Sequence, residues 1–170
     1  LLELCRIQGH EPVAVEIPIP GTSTATASTQ TLAVNIAPAC HGLASWDGRY
    51  GKNSRGAHVF REFAQQFATD PQWLAPFDPT DPINTPNTLA SNDVVLQHLA
   101  RAVLVLQETG VALDARLGEV QFVEYSNLDG TPSGEKLPWE GANNVEGGFN
   151  VFRSIADDSS LIPRHVYPPI

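Results

Sequence analysis

The sequence predicts a mainly helical α+β protein with one or two short strands. Residues 59–67 and 93–109 carry apolar side chains at the spacing of amphipathic helices. Residues 117–125 and 149–155 have the alternating or aromatic and β-branched pattern of strands, and residues 127–148 between them form a Gly-, Pro- and Asn-rich loop. No apolar run approaches the roughly 20 residues that cross a bilayer, so we expect no membrane span.

The composition is typical of one acidic globular domain. The chain has 170 residues, of which 42% are hydrophobic, and 10 Lys and Arg against 19 Asp and Glu give a formal net charge of −9. This content is too apolar and too weakly charged for a disordered chain. Because phosphate binding needs a basic face, the charge argues against nucleic acid or anionic lipid as a partner.

The first third of the chain is predicted to hold two short helices and one extended segment. Residues 1–6 have the pattern of the last turns of a helix, and residues 13–20 alternate like an edge strand with two prolines. Residues 21–31 are a low-complexity run that indicates a mobile surface loop. Residues 38–46 are predicted to be helical, with Pro38 in the first turn.

Ser54 is expected to cap the helix that contains residues 59–67. The helix is expected to end at Asp70, because Pro71 follows it. The segment 71–86 is rich in proline, and its regular structure should be brief. We expect three of its side chains to anchor it to the core: Trp73, Leu74 and Phe77.

The clearest helix covers residues 93–109, with Asn92 or Ser91 as its N-cap and Gly110 in the C′ position. Its apolar arc is so wide that the helix must be buried on more than one side. We therefore expect further protein around it. Leu1 stands where a start methionine would, and the chain contains no Met. These ends suggest that residues 1–170 form a single incomplete domain of a longer polypeptide.

The two cysteines, Cys5 and Cys40, allow only one pairing. A disulfide between them would close a loop of about 35 residues and stabilise the fold by roughly 3–4 kcal/mol. Two buried free thiols are the alternative, since free Cys is among the most buried residue types. The spacing matches no zinc site.

No complete catalytic constellation is present. The motif GxSxG is absent, and Ser133 and Lys136 match SxxK, but Pro132, Gly134 and Pro138 exclude the helix that this chemistry needs. The sequence therefore assigns no catalytic residue.

No metal site or cofactor is indicated either. No two of the five histidines have metal-ligand spacing: His10, His41, His58, His98 and His165. The paired acids are expected to be solvated turn residues, with a weak calcium site at the first pair as the alternative: Asp78 with Asp81, and Asp157 with Asp158. The aromatic stripe is expected to be core, with the rim of an acyl pocket as the alternative: Phe60, Phe63 and Phe67.

Several short segments nevertheless occur in a familiar order and spacing. They are LLELCR at 1–6, ACHGLASWD at 39–47, the helix at 56–67, WLAPFD at 73–78, DPINTP at 81–86, ARLGEVQ at 115–121 and GGFNVF at 147–152. Together they resemble the penicillin-acylase-type enzymes, in the branch with acyl-homoserine-lactone and aculeacin-type acylases. The resemblance covers most of the chain outside residues 7–37.

The resemblance implies the αββα sandwich of N-terminal-nucleophile hydrolases, of which this chain would be a C-terminal part of the large subunit. In that family an N-terminal serine attacks the amide and its own α-amino group is the base. A backbone N–H and an asparagine form the oxyanion hole. All of these precede the matched region, so none is assigned here. The partners would be the small subunit, the N-terminal part of the large subunit and an acyl-amide substrate. The resemblance also implies a periplasmic or secreted enzyme, which favours the Cys5–Cys40 disulfide.

Three hypotheses follow. The first is a structural segment of an acyl-amide hydrolase, inactive alone. The second is a self-contained, non-enzymatic binding module whose apolar surplus docks on a partner protein. The third is a free-standing hydrolase that uses His41 or His98 with a nearby serine.

Overall fold

The computed structural model describes residues 1–19 and 29–142, of which 123–126 and 132 by their backbone only, and the backbone of residues 155–157 and 164–166. These residues form five helices and three separate two-stranded antiparallel sheets, which confirms the predicted α+β class. The elements are α1 (Leu2–Gln8), β1 (Val13–Pro18), β2 (Thr29–Val34), α2 (Ala37–Ser45), α3 (Ala57–Thr69), α4 (Asp93–Glu108), α5 (Leu117–Val120), β3 (Phe122–Ser126), β4 (Pro132–Pro138), β5 (Ile155–Asp157) and β6 (Arg164–Val166).

Helix α4 is the centre of the core. The Asn92 side chain accepts a hydrogen bond from the Val95 amide at 3.1 Å, and Gly110 follows the helix with a φ of 71°, as the sequence predicts. Helix α3 packs on one side of α4, and the β1–β2 hairpin packs on another. The chain's own elements therefore enclose α4, and its wide apolar arc needs no further protein to cover it.

The β1–β2 hairpin corrects the predicted loop at 21–31. Thr29, Gln30 and Thr31 belong to β2 and pair with Pro18, Ile17 and Glu16 of β1. Low complexity did not prevent pairing, because β-branched threonine suits a half-exposed strand. Residues 21–28 of the predicted loop lie outside the described residues.

A disulfide between Cys5 and Cys40 joins α1 to α2, with the two Cα atoms 5.7 Å apart. Helix α2 carries Pro38 in its first turn, as predicted. The disulfide and the packing of β1 on α4 tie the N-terminal elements to the core.

Helix α3 begins at Ala57, and its N-cap is Gly56 rather than the predicted Ser54. Gly56 has a φ of 86°, and a Cβ there would lie 2.7 Å from the Gly42 carbonyl oxygen and 3.0 Å from the Trp46 Cβ. The close approach of α2 and α3 thus decides where α3 begins. Ser54 instead donates to the Asp47 carboxylate at 3.3 Å.

The predicted strand at 117–125 is wrong for residues 117–120 and confirmed for residues 122–125. Residues 117–120 form the helical turn α5, because the Glu119 side chain accepts from the Arg116 amide at 2.8 Å and caps it. The strand β3 starts at Phe122 and pairs with β4, a strand that the predicted loop at 127–148 did not contain. Of the predicted strand at 149–155, only Ile155 lies within the described residues, in β5.

Candidate functional site

A row of aromatic rings follows α3 across the molecular surface. Successive ring centroids lie 5.0–6.0 Å apart along the row Tyr50, Trp46, Phe60, Phe63, Phe67, Trp73. Such pairs contribute about 0.5–1.5 kcal/mol each beyond the area they bury. The row therefore stabilises α3 and links it to the segments before and after it.

One end of this row forms the wall of a groove of about 510 Å³, which we call the aromatic groove. Its lining residues are Phe60, Phe63, Ala64, Phe67, Ala68, Pro71, Trp73 and Leu89. Phe63 and Phe67 are buried core residues, and their ring edges also line the groove. The expectation of core residues thus holds for Phe63 and Phe67, and the rim of an acyl pocket stays a prediction.

The far wall of the groove belongs to a loop over residues 72–90, which we call the braced loop. Its base is closed by backbone hydrogen bonds of 2.8 Å from the Leu74 amide to the Thr88 carbonyl and from the Ala90 amide to the Gln72 carbonyl. Trp73 pairs with Leu89 between these bonds. The base is therefore a short antiparallel ladder, and it holds Trp73 against the Phe67 ring.

The tip of the braced loop is held by its acidic residues. The Asp78 carboxylate accepts from the Thr80 amide and hydroxyl at 2.8 and 2.7 Å, and these bonds lower the pKa of Asp78. The Asp81 carboxylate accepts a hydrogen bond from the Asn84 side-chain amide at 2.8 Å. The Asp81 backbone carbonyl accepts one from the Thr85 hydroxyl at 2.8 Å. The two carboxylates thus stabilise turns. Among the described residues, no three His, Cys, Asp or Glu side chains are grouped as metal ligands.

Two predicted anchors of this segment are exposed instead. Leu74 is 71% exposed and Phe77 is 60% exposed, whereas Trp73 is 40% exposed and contacts Phe67. The ladder at the loop base turns the following residues away from the core.

A polar cluster surrounds Arg61 of α3. Arg61 is 2% exposed, and its guanidinium donates to the Gln121 side-chain oxygen and, at 3.2 Å, to the Gly141 carbonyl. The guanidinium carbon lies 5.6 Å from the centre of the Tyr50 ring. Gln121 also donates to the Trp139 and Gly141 carbonyls, at 2.9 and 3.2 Å. The cluster fixes the chain after β4 against α3.

Two buried histidines lie on α3 and α4, and each is hydrogen-bonded to a backbone carbonyl. His58 Nε2 lies 3.0 Å from the Ala112 carbonyl, and His98 Nε2 lies 3.0 Å from the Asp70 carbonyl. Burial lowers the pKa of both side chains. Each ring is therefore a core side chain that is hydrogen-bonded at Nε2 only, because the Nδ1 atoms of His58 and His98 are buried without a partner among the described residues.

Of the remaining candidates, His41 shares a cavity with a serine, Ser45. His41 is exposed beside an open cavity of about 490 Å³ that Ser45 and Arg55 also line, but Ser45 donates to the Gly42 carbonyl at 3.0 Å. Ser133 and Lys136 lie on β4, where residues three apart point to opposite faces. Lys136 Nζ lies 4.1 Å from the centre of the Phe122 ring. Asp158 and the side chains of Asp157 and His165 lie outside the described residues.

Among the described residues, no hydrogen bond joins a serine hydroxyl to a histidine ring. The penicillin amidase family model matches residues 10–163. The chain belongs to the penicillin amidase family.

Among curated members of this family, the chain is similar to acyl-homoserine lactone acylases named PvdQ. It is 29% identical over 131 residues to the protein of Pseudomonas syringae pv. tomato, a match that covers 73% of this chain and 16% of that relative. It is 30% identical over 128 residues to the protein of Pseudomonas savastanoi pv. phaseolicola, covering 71% of this chain and 16% of the relative. The chain therefore spans about a sixth of the length of the curated relatives it matches.

In this penicillin amidase family member, four residues that shape the surroundings of α3 could not be recognised in the sequence. Gly56 and Gly118 permit close contacts, since a Cβ on Gly118 would lie 2.9 Å from the Pro138 Cβ. Arg61 and Gln121 build the polar cluster from positions 60 residues apart. A glycine beside a predicted helix start could have signalled Gly56. No local pattern signals the Arg61–Gln121 contact.

Proposed function

We propose that this chain is a structural part of an acylase that removes an acyl chain from a linear amide. In this proposal the nucleophile is an N-terminal serine that lies outside residues 1–170, and the chain is inactive alone. The chain supplies a helical layer of an αββα sandwich, and its partners are the small subunit and the N-terminal part of the large subunit. No cofactor is needed, because the serine amino group is the base.

The observation that carries the proposal is the family match over residues 10–163. It is supported by the described residues, in which no serine is hydrogen-bonded to a histidine. The hydroxyl of Ser45 is bonded to a backbone carbonyl, and both buried histidines are bonded to backbone carbonyls. Because the matched relatives are much longer than this chain, the proposal places the reacting groups in another part of the polypeptide.

The names of the relatives suggest the substrate class, and the disulfide suggests the cellular compartment. The relatives are named for acyl-homoserine lactones, so such amides are the first substrates to test, with penicillins and lipopeptides next. We place the enzyme in the periplasm or outside the cell, since the Cys5–Cys40 disulfide suits an oxidising compartment. No helix among the described residues is long and apolar enough to span a membrane.

The second candidate is a self-contained binding module, and the exposed Leu74 and Phe77 beside the aromatic groove favour it. The two candidates differ in the size of the native protein. A binding module would be a mature chain of about the 18.3 kDa of this sequence, whereas an acylase part would belong to a much larger polypeptide.

The test is to isolate the native polypeptide with an antibody to residues 38–110, measure its intact mass and assay it. We expect a larger protein that releases a fatty acid from an acyl-homoserine lactone. The chain of residues 1–170, produced separately, should show no turnover. A native chain of 18.3 kDa without turnover would replace this proposal by the binding module.

A further inference from the structure

The open cavity of about 490 Å³ beside His41 lies between α2 and two other segments of the chain, and we call it the α2 cavity. Residue 55, before α3, and residues 113 and 114, after α4, line it from those segments. Its volume is within the range of about 300–1,000 Å³ that small-molecule sites occupy. The remaining lining residues lie on one face of α2, at the i, i+3, i+4 and i+7 positions: Pro38, His41, Gly42 and Ser45.

The backbone on the far side of the α2 cavity is fixed by pairing. Arg55 and Arg116 form an isolated antiparallel β-bridge, and the Leu117 amide donates to the Ser54 carbonyl at 2.9 Å. The Arg55 guanidinium donates from Nη1 to the Asp114 carbonyl. This bond holds the guanidinium beside a cavity wall and leaves the Nε and Nη2 groups as donors.

The Arg55 guanidinium has no carboxylate partner among the described residues. In that part of the chain the one ion pair joins Arg6 to Glu3, although acidic residues outnumber basic ones by 19 to 10. Asp114 forms no ion pair with Arg55, even though its carbonyl accepts from the same guanidinium. The planar fork of an arginine matches the two oxygens of a carboxylate, so an unpaired arginine at a cavity is suited to bind one.

Gly42 leaves space between two walls of the α2 cavity. It lies in the interior of α2, where glycine is a poor helix former, and its φ is not positive. A Cβ at this position would lie 3.7 Å from the Leu113 carbonyl oxygen, which is an ordinary van der Waals distance. Neither the backbone conformation nor a clash therefore requires glycine here. An added methyl group would occupy space between α2 and Leu113.

We propose that the α2 cavity binds a small monocarboxylate with an apolar body. The carboxylate accepts from Nε and Nη2 of Arg55, and the His41 ring is a further donor in the lining. Pro38 and Leu113 supply apolar contact for the body of the ligand. This inference concerns residues of this chain alone and does not rest on the proposed function.

The other lining groups favour a single carboxylate over a larger anion. The Ser45 hydroxyl donates to the Gly42 carbonyl at 3.0 Å, so it offers an acceptor and not another donor to an anion. Asp114 brings a negative charge to the same lining, which opposes a ligand with two charges. Inorganic phosphate and dicarboxylates should therefore bind more weakly than a monocarboxylate.

The test is photo-crosslinking of the native polypeptide with a diazirine analogue of pentanoate, followed by peptide mapping. We expect crosslinks within residues 38–45 or at residues 113 and 114. Excess pentanoate should abolish them, whereas pentanamide, which has the same body without the charge, should not. No crosslinking in these segments would overturn the inference. Competition by pentanamide or by inorganic phosphate as strong as that by pentanoate would also overturn it.

Two variants and a matched control locate the ligand. Arg55→Gln should reduce the crosslinking several-fold, whereas Arg49→Gln removes the same charge at an exposed position outside the cavity and should leave it unchanged. Gly42→Ala should also reduce the crosslinking, without lowering the thermal unfolding midpoint. Wild-type crosslinking in Arg55→Gln or Gly42→Ala, or an equal loss in Arg49→Gln, would contradict the proposal. Acyl-amide turnover is not the readout, so the result is independent of the proposed function.

Discussion

Glycines at crowded positions control the approach of α2 to α3. Gly48 and Gly56 both have positive φ values, 72° and 86°, but a Cβ on Gly48 would meet no atom within 4 Å. At Gly56 the same Cβ would lie 2.7 Å from the Gly42 carbonyl oxygen. Alanine at Gly48 would therefore measure the free-energy cost of the left-handed backbone alone. Alanine at Gly56 would measure that cost plus the cost of the steric contact with Gly42.

We expect Gly48→Ala to destabilise its surroundings by about 1–2 kcal/mol, the usual cost of a left-handed alanine. Gly56→Ala should cost a further 1–3 kcal/mol or so, because α2 and α3 must move apart. Hydrogen exchange of the α3 amides in the native polypeptide measures the difference. Equal exchange rates in the two variants would show that the contact with Gly42 is unimportant.

Gln121 is the second residue whose loss should be costly. Its side chain accepts from Arg61 and donates to the Trp139 and Gly141 carbonyls, and it is 3% exposed. Gln121→Leu leaves these buried partners short of a hydrogen bond, at about 1–3 kcal/mol for each unsatisfied group. We expect faster hydrogen exchange at residues 139–141 in Gln121→Leu. In the control Gln107→Leu, whose side chain is exposed, exchange at these residues should not change. Unchanged exchange in Gln121→Leu would mean that the cluster does not hold this segment.

Among the elements, α1 and α2 depend on their covalent link. Cys5 and Cys40 are 35 residues apart, and the chain-entropy model gives such a loop about 4 kcal/mol of stabilisation. Cys5→Ser with Cys40→Ser should accelerate hydrogen exchange in α1 and α2 of the native polypeptide. Peptide mapping without reductant should recover the two cysteines as one linked species. Alkylation of both thiols without reductant would instead establish the buried free thiols.

The packing of α3 on α4 should weaken as the pH falls. Burial lowers the pKa of His58 and His98 in the folded chain below the unfolded value of about 6.5. The unfolded state therefore binds protons first, so this contribution is fully present above pH 6.5 or so and is lost as the pH falls below it. Hydrogen exchange of α4 measured from neutral to mildly acidic pH should show this loss, and His58→Gln with His98→Gln should reduce it. An identical pH dependence in the double variant would contradict the assignment.

Element prediction succeeded where the determinants are local. The Asn92 cap and Gly110 define α4 within a few residues of sequence, and the helical spacing defines α3. Prediction failed where contacts between residues far apart in the sequence determine where an element begins or which strand it pairs with. Gly56 caps α3 because α2 approaches it, and Leu117 starts a helical turn whose amide donates to the Ser54 carbonyl at 2.9 Å. β4 was missed because its partner strand supplies the pairing that its Gly- and Pro-containing sequence does not predict.

At the scale of the whole molecule, the family could be predicted from the sequence but the site could not. The order of short segments such as ACHGLASWD and WLAPFD led to the penicillin-acylase-type resemblance, and the family match over residues 10–163 confirms it. The exposure of Leu74 and Phe77 was not predicted, because in the sequence both look like core residues and no local pattern signals the pairing of Trp73 with Leu89 that closes the loop.

The central claim is that this fold supports a reaction whose nucleophile lies elsewhere in the polypeptide. The direct measurement is to treat the native polypeptide with a serine-directed phosphonofluoridate and to locate the modified residue by peptide mapping. The account predicts a single modified serine at the N-terminus of a processed chain, outside residues 1–170, and loss of turnover in proportion to its labelling. Stoichiometric modification of Ser45 or Ser133 with the same loss of turnover would contradict it.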